Sequence, residues 1–236
     1  MDPDEAKADL LAPRWLSRSR APVAITGAGI SAASGLPTLQ GEEGGRSLRE
    51  WFRGEEAKRH VMEFAAAYQR MVSGWLCAKP NPAHDALARK GVRIITQNID
   101  GLHQKAGSRS VIELHGSLRR WRCLACRRTE VSMKRMPGRG TLAASALGDV
   151  CGWCNGRLIP DLVLEGEPVR NVARAVNWVS TADVLLIVGT TLTREPIGRL
   201  PAIAQALGVP VVTVNDDAQT RLPKLLAATS ETLDRP

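Results

Sequence analysis

Four cysteines arranged as two CxxC knuckles, Cys123-Leu-Ala-Cys126 and Cys151-Gly-Trp-Cys154, constrain this chain more than any other feature. Each knuckle sets two sulfurs on one tight turn, and the 24 residues between the pairs allow the turns to meet around a tetrahedral Zn²⁺. No His or acid stands beside either knuckle as an open-position ligand with a general base. The four thiolates Cys123, Cys126, Cys151 and Cys154 are therefore expected to form a closed, structural zinc site, one per chain. The fifth cysteine, Cys77, is expected to be a small buried hydrophobe.

At 236 residues, 44% apolar and 24% charged, the chain can bury a full core as one large domain or as one domain with a small insert. No stretch approaches the roughly 18 apolar residues that span a bilayer, so no membrane partner is expected. The Met1-Asp-Pro-Asp-Glu start is acidic and lacks a signal-peptide core. A cytoplasmic location follows as the expectation, and in that reducing setting paired CxxC knuckles hold metal rather than form disulfides. The net charge is +8, with eight basic residues from Arg119 to Arg139 against the single acid Glu130. Such a cluster either attracts an acidic partner or nucleic acid, or is the solvated face of a small module.

Around the knuckles, short apolar runs alternate with helical stretches. Strands are expected at 22–26, 91–96, 111–115, 182–189 and 209–215. Of these, 182–189 is apolar throughout, as a central strand of a parallel sheet would be. Helices are expected near 48–52, 57–76, 82–90, 169–180 and 196–207. This alternation gives an α/β fold with a doubly wound parallel sheet, Rossmann-like, whose small and polar strand ends suit a dinucleotide. Residues 119–158 break the pattern. They are read as an inserted zinc module, with 1–118 and 159–236 forming one discontinuous nucleotide-binding domain.

Functional residues of such sheets gather at the carboxyl ends of strands. Gly27-Ala-Gly-Ile-Ser31 follows the first strand and suits close backbone approach to a pyrophosphate. It lacks the third glycine of the usual dinucleotide fingerprint, so a plain strand-to-helix turn remains open. Gly189-Thr-Thr191 and Asn215-Asp-Asp217 end two further strands. They could meet ribose hydroxyls or merely cap the next helix. Of four histidines, His115 stands out by its position at a strand end, before Gly116 and the metal module.

Taken together, the residues resemble the sirtuin (Sir2) family of NAD-dependent protein deacylases and ADP-ribosyltransferases. The matching pieces, in family order over about residues 20–217, are Gly27 to Pro37, Thr96-Gln-Asn-Ile-Asp-Gly-Leu-His-Gln-Lys-Ala-Gly107, Glu113-Leu-His-Gly116, the four cysteines, Pro160-Asp161 with Gly166-Glu167, and Gly189-Thr-Thr-Leu192. The resemblance implies that Gly27, Ala28, Gly29, Ser31, Ala32, Pro37 and Gln40 belong to the loop that holds NAD. Gln97, Asn98, Ile99 and Asp100 would line the nicotinamide side, with Gly189, Thr190, Thr191, Asn215 and Asp216 at the other strand ends. Asn98, Asp100 and His115 would be the catalytic set, His115 as general base. Tyr68, Val163, Glu165 and Gly166 would meet an acylated-lysine protein substrate. The implied reaction releases nicotinamide and transfers the acyl group to ADP-ribose.

Several positions depart from the family pattern. Leu39 and Gln40 stand where an aromatic and an arginine are usual, which removes a π face and a fixed cation. Thr38 and Tyr68 match the subgroup that removes acidic acyl groups, but Met71 replaces its arginine and Arg70 is one residue off. A succinyl carboxylate would lack a bidentate partner, and desuccinylation is not expected. Glu165 replaces an apolar residue along the acyl tunnel, which is costly unless the acid is paired or faces water. After Asn215 the sequence omits a strand and loop that usually meet the adenine. An ADP-ribosyltransferase or NAD glycohydrolase, and a non-catalytic NAD-binding scaffold, stand as alternatives.

Overall fold

The computed structural model describes residues 3–37, 41–43, 46–47, 50, 53, 74–123, 125–131, 150–156 and 158–227. In chain order the helices are α1 (Pro3–Arg18), α2 (Ala28–Ala32), α3 (Pro82–Lys90), α4 (Leu102–Lys105), α5 (Val172–Ser180), α6 (Leu200–Ala206) and α7 (Ala218–Ala227). The strands are β1 (Pro22–Thr26), β2 (Glu42–Glu43), β3 (Arg46–Ser47), β4 (Arg93–Thr96), β5 (Val111–Glu113), β6 (Gly116–Cys123), β7 (Thr129–Val131), β8 (Leu158–Leu162), β9 (Val184–Val188) and β10 (Val211–Val214).

Five strands form a parallel sheet in the order β10-β9-β1-β4-β5. Strand side chains alternate between two faces, and both faces are covered, so the strands read as unbroken apolar runs. Ala24, Ile94, Leu186 and Val212 meet Leu16 of α1, Leu87 of α3 and Leu222 of α7 on one side. Val23, Ile25, Ile95 and Leu185 meet Val179 of α5 and Leu200 and Ala204 of α6 on the other. Each fully buried Leu or Ile here stabilises the layer by about 1.5–3 kcal/mol. The middle position belongs to β1. Strand β9 is interior but lies beside it, because the chain winds first from β1 to β4 and β5 and then back through β9 to β10.

That reversal leaves a crevice at the carboxyl ends of β1 and β9, where open α/β sheets hold ligands. Helix α3 is fixed by local chemistry. The Asn81 side chain accepts from Ala83 N, Pro82 opens the first turn, and Gly91 ends the helix at φ 71° in the left-handed region. Helix α5 begins at Val172 rather than 169. The 196–207 stretch divides into a 3₁₀ turn, Ile197–Arg199, and α6. The expected helices at 48–52 and 57–76 lie almost wholly outside the described residues.

Strands β7-β6-β8 form a separate antiparallel sheet. Its small core is Leu118, Trp121, Cys123, Cys151, Leu158 and Leu162. Only Leu114 and His115 separate β5 of the large sheet from β6 of the small one. No helix among the described residues is long and apolar enough to cross a membrane.

Candidate active site and metal centre

The site is built where the loops after β1, β4 and β9 converge. Gly27 N donates to Val188 O (3.1 Å) and Gly29 N to Gly189 O (2.9 Å), which draws the two loops together. The approach leaves no room for side chains. A Cβ on Gly29 would lie 2.7 Å from Gly189 Cα, and one on Gly189, at φ 61°, would lie 2.2 Å from Ile30 N. Helix α2 then carries Ala28, Ser31 and Ala32 along the crevice edge. Pro37 is exposed beyond it, and Gln40, Leu39 and Thr38 lie outside the described residues.

The loop after β4 is knitted to this turn. Asn98 Nδ2 donates to Gly27 O (3.0 Å) and to Ser31 Oγ (3.2 Å), and the Ser31 hydroxyl donates to Asp100 Oδ2 (2.8 Å). Asp100 Oδ1 accepts from Leu102 N at 2.8 Å. Burial raises the Asp100 pKa above the ordinary carboxylate value, opposed by the bonds from Leu102 and Ser31. Gln97 reaches the other way, its Oε1 accepting from Thr190 Oγ1 (2.7 Å), while Thr190 N donates to Asn215 Oδ1 (3.0 Å). Gln97, Thr190 and Asn215 thus join three strand ends. Ile99 is partly buried and packs against the module core, and Thr191 and Asp216 are exposed.

His115 is half-buried, with Nδ1 2.9 Å from Gln97 O. A carbonyl only accepts, so Nδ1 carries the proton and Nε2 keeps its lone pair. Burial lowers the imidazole pKa below 6.5; the Gln97 bond opposes the shift and the Arg194 charge adds to it. The geometry gives a neutral histidine of fixed tautomer, ready to take a proton at Nε2. The other described histidines differ. His103 is fully buried with Nε2 on Thr26 Oγ1 (2.9 Å), and His84 packs against it with ring centroids 4.9 Å apart. His60 lies outside the described residues.

On the substrate side, Val163 N donates to His115 O at 2.9 Å, which sets the 163–167 segment beside the imidazole. Glu167 N donates to Leu164 O (2.9 Å) and Gly166 sits at φ 92°, forming a turn with Glu165 and Gly166 at its apex. The cost of an acid here is resolved by pairing and exposure. Glu165 meets Arg194 at 3.0 Å and Arg53 at 3.8 Å. Tyr68, Arg70 and Met71 lie outside the described residues.

The four knuckle sulfurs all lie within 4.8 Å of one another, with Cys123–Cys154 at 3.5 Å and Cys126–Cys151 at 3.6 Å. Tetrahedral zinc with Zn–S bonds of about 2.3 Å needs sulfurs about 3.8 Å apart, and no disulfide competes for them. The donor set fits zinc. Cys126 N donates to Cys123 Sγ (3.5 Å), which favours the thiolate. Cys77, by contrast, is exposed rather than buried.

Sequence reasoning missed an ionic ladder that links β5, β6 and β8. Arg120 bonds both Glu113 and Asp161, Arg170 bonds the other oxygen of Asp161, and Gln104 donates to Glu113 (2.9 Å). Arg122 lies 3.7 Å from Glu167. Two of the basic residues at 119–139 thus face acids within the fold. Lys134, Arg135 and Arg139 lie outside the described residues. Asn81, whose side-chain amide donates to Ile30 O of α2, was also missed. The one available signal was its place in the Pro80-Asn81-Pro82 helix start.

Residues 27–196 match the sequence model of the Sir2 family. The chain is 39% identical over 219 residues to an NAD-dependent protein deacylase of Aeropyrum pernix, covering 86% of this chain and 84% of that one. In structure it is similar to a Sir2 homologue solved as an NAD complex, with TM-score 0.79, 29% identity and coverage of 94% and 93%. It is also similar to a structure of Sir2 with a p53 peptide and NAD⁺, with TM-score 0.75, 30% identity and coverage of 90% and 95%.

Proposed function

The chain belongs to the Sir2 family, and we propose on that footing that it is an NAD-dependent protein-lysine deacylase with His115 as its base. The observation that carries the assignment is the His115 Nδ1–Gln97 O bond, which leaves Nε2 as the basic nitrogen beside the crevice. NAD, when bound, supplies the ribosyl carbon and the nicotinamide leaving group. The close-packed Gly27, Gly29 and Gly189 leave backbone at the strand ends where a pyrophosphate needs it. Asn98, Asp100 and Ser31, already bonded to one another, would hold the nicotinamide side. Gln97, Thr190 and Asn215 would frame the ribose side.

An acylated-lysine protein is the substrate. Its side chain would enter along Val163, Glu165 and Gly166, beside the imidazole. His115 Nε2 accepts the proton released as the acyl group transfers. A neutral base poised below 6.5 is unprotonated at neutral pH, as general-base work requires. The zinc site takes no part in this chemistry and holds the β6–β8 sheet together. The exposed Arg127 and Arg128 remain a place for an acidic partner, smaller than the basic run suggests, because Arg120 and Arg122 are paired internally.

The test is incubation with NAD⁺ and an acetyl-lysine peptide, with every NAD-derived product identified by mass. Peptide-dependent nicotinamide release together with O-acetyl-ADP-ribose, both lost in His115→Ala, is the expected result. Nicotinamide released equally without peptide would replace this reading with a glycohydrolase.

A further inference from the structure

Glu165 and Arg194 come from distant parts of the chain, the apex of the 164–167 turn and the loop after β9, and meet at 3.0 Å. Arg53 closes on the same carboxylate at 3.8 Å and pairs its backbone with that of Glu165 in a parallel bridge. Among the described residues, two guanidinium groups thus face this carboxylate. The cluster stands beside the base. Val163, two residues before Glu165, donates to His115 O, and the Arg194 charge is near enough to act on the imidazole. It also lies at the mouth and not in the depth of the site, since the side chains are 57% exposed for both arginines and 39% for Glu165.

We propose that Arg194, with Arg53 and Glu165, selects substrates by charge, favouring a protein segment with an acidic side chain next to the acyl-lysine. The proposal rests on the deacylase reading for the identity of the substrate. The physical argument has three parts. Exposed ion pairs are weak because water screens them and ordering two long side chains opposes them, so the Glu165–Arg194 pair opens at little cost. An arginine exchanges one carboxylate for another of the same geometry, so a substrate Asp or Glu can take the place of Glu165. Among the described residues, Arg194 and Arg53 both turn their guanidinium groups to the Glu165 carboxylate, so the opened cluster attracts an acid and repels a lysine. The exposure favours a flanking side chain over the far end of the acyl group as the source of that carboxylate.

The experiment uses the full chain with acetyl-lysine peptides identical except for Asp, Ala or Lys on either side of the acetyl-lysine. Binding is read by fluorescence anisotropy and turnover by nicotinamide release. The wild type is expected to bind the Asp peptide about 5-fold more tightly than the Lys peptide, as a rim charge worth about 1 kcal/mol gives. Arg194→Gln should bring that ratio close to one, and Glu165→Gln should widen it. A folded Arg194→Gln variant, verified by its melting curve, that keeps the full ratio overturns the proposal. So does a wild type that ignores the charge or prefers Lys. A succinyl-lysine peptide with neutral flanks that binds more tightly than the Asp peptide, in an Arg194-dependent manner, overturns it in favour of the acyl end. Binding that follows charge without any peptide-dependent nicotinamide release keeps the selection and refutes the deacylase reading. Turnover without charge preference does the reverse.

Discussion

Asn81 holds Ile30 across the crevice wall, its side-chain amide donating to the Ile30 carbonyl at 2.7 Å and to Ser34 Oγ at 3.0 Å. The same side chain accepts from Ala83 N at 3.0 Å and so caps α3. One residue therefore starts one helix and tethers another. Asn81→Ala is expected to cost about 1 kcal/mol from the cap alone, read as a lower denaturation midpoint. Asn81→Ser keeps a capping oxygen but loses the reach to Ile30. It should recover much of the stability while the KM for NAD⁺ stays raised. Full recovery of both would show that the tether to α2 does not matter for NAD.

The pH profile of turnover follows from His115. Burial, with Arg194 adding to it, lowers the imidazole below 6.5, and the base must be unprotonated to act. The acid limb of kcat/KM should therefore lie below pH 6.5. Arg194→Gln removes the neighbouring cation and should move that limb upward. An acid limb above 6.5 in the wild type would contradict the half-buried, singly protonated imidazole described here.

Stability should fall in acid for a separate reason. Burial holds His84 at about 4 and His103 at about 3, His84 adding to the shift of His103. Both groups bind protons less readily folded than unfolded, where imidazole titrates near 6.5. From those folded values up to 6.5 the unfolded chain holds more protons. Their contribution is thus complete above 6.5 and is lost as pH falls toward 4 and then 3. Denaturant midpoints at pH 7 and pH 5 measure this. His103→Gln, which can still bond Thr26, should show the smaller difference between the two; an undiminished difference would assign the loss to other groups.

Zinc removal should act on one sheet. Chelation, or Cys151→Ser at a buried ligand, is expected to release one zinc per chain and expose the amides of β6, β7 and β8 to exchange. Those of β1, β4 and β9, buried among the helices, should stay protected. Hydrogen exchange read by mass spectrometry separates the two sets. Equal protection before and after metal loss would mean that the sheet stands on Leu118, Trp121 and Leu158 alone.

The sequence declares what depends on short range. Strand β1 is legible to the residue because an apolar run, Pro22 to Thr26, stops at a glycine that must lie close to a second strand end. The knuckles are legible because ligand spacing is local. Strand β6 is not. Arg119, Arg120 and Arg122 give it the look of a solvated basic run, and the acids that pair with Arg120 and Arg122 come from positions 113, 161 and 167. A charge whose partner is distant in sequence looks the same as a charge facing water. Glu165 and Arg194 were opaque for that reason. Helix α1 is not among the expected elements, and Pro13 inside it is a residue that ordinarily argues against a helix.

The two-residue joint between β5 and β6 has a mechanical meaning. Leu114 O accepts from Arg170 N (3.1 Å) and His115 O from Val163 N (2.9 Å), so both carbonyls of the joint are held, the second by the residue that directly follows β8. A hinge normally absorbs displacement. This one is held at both carbonyls, and it carries the imidazole. Because His115 O is bonded to the residue that follows β8, the backbone of the base is fixed to the knuckle-bearing sheet as firmly as to the large one, and the imidazole takes its place from both.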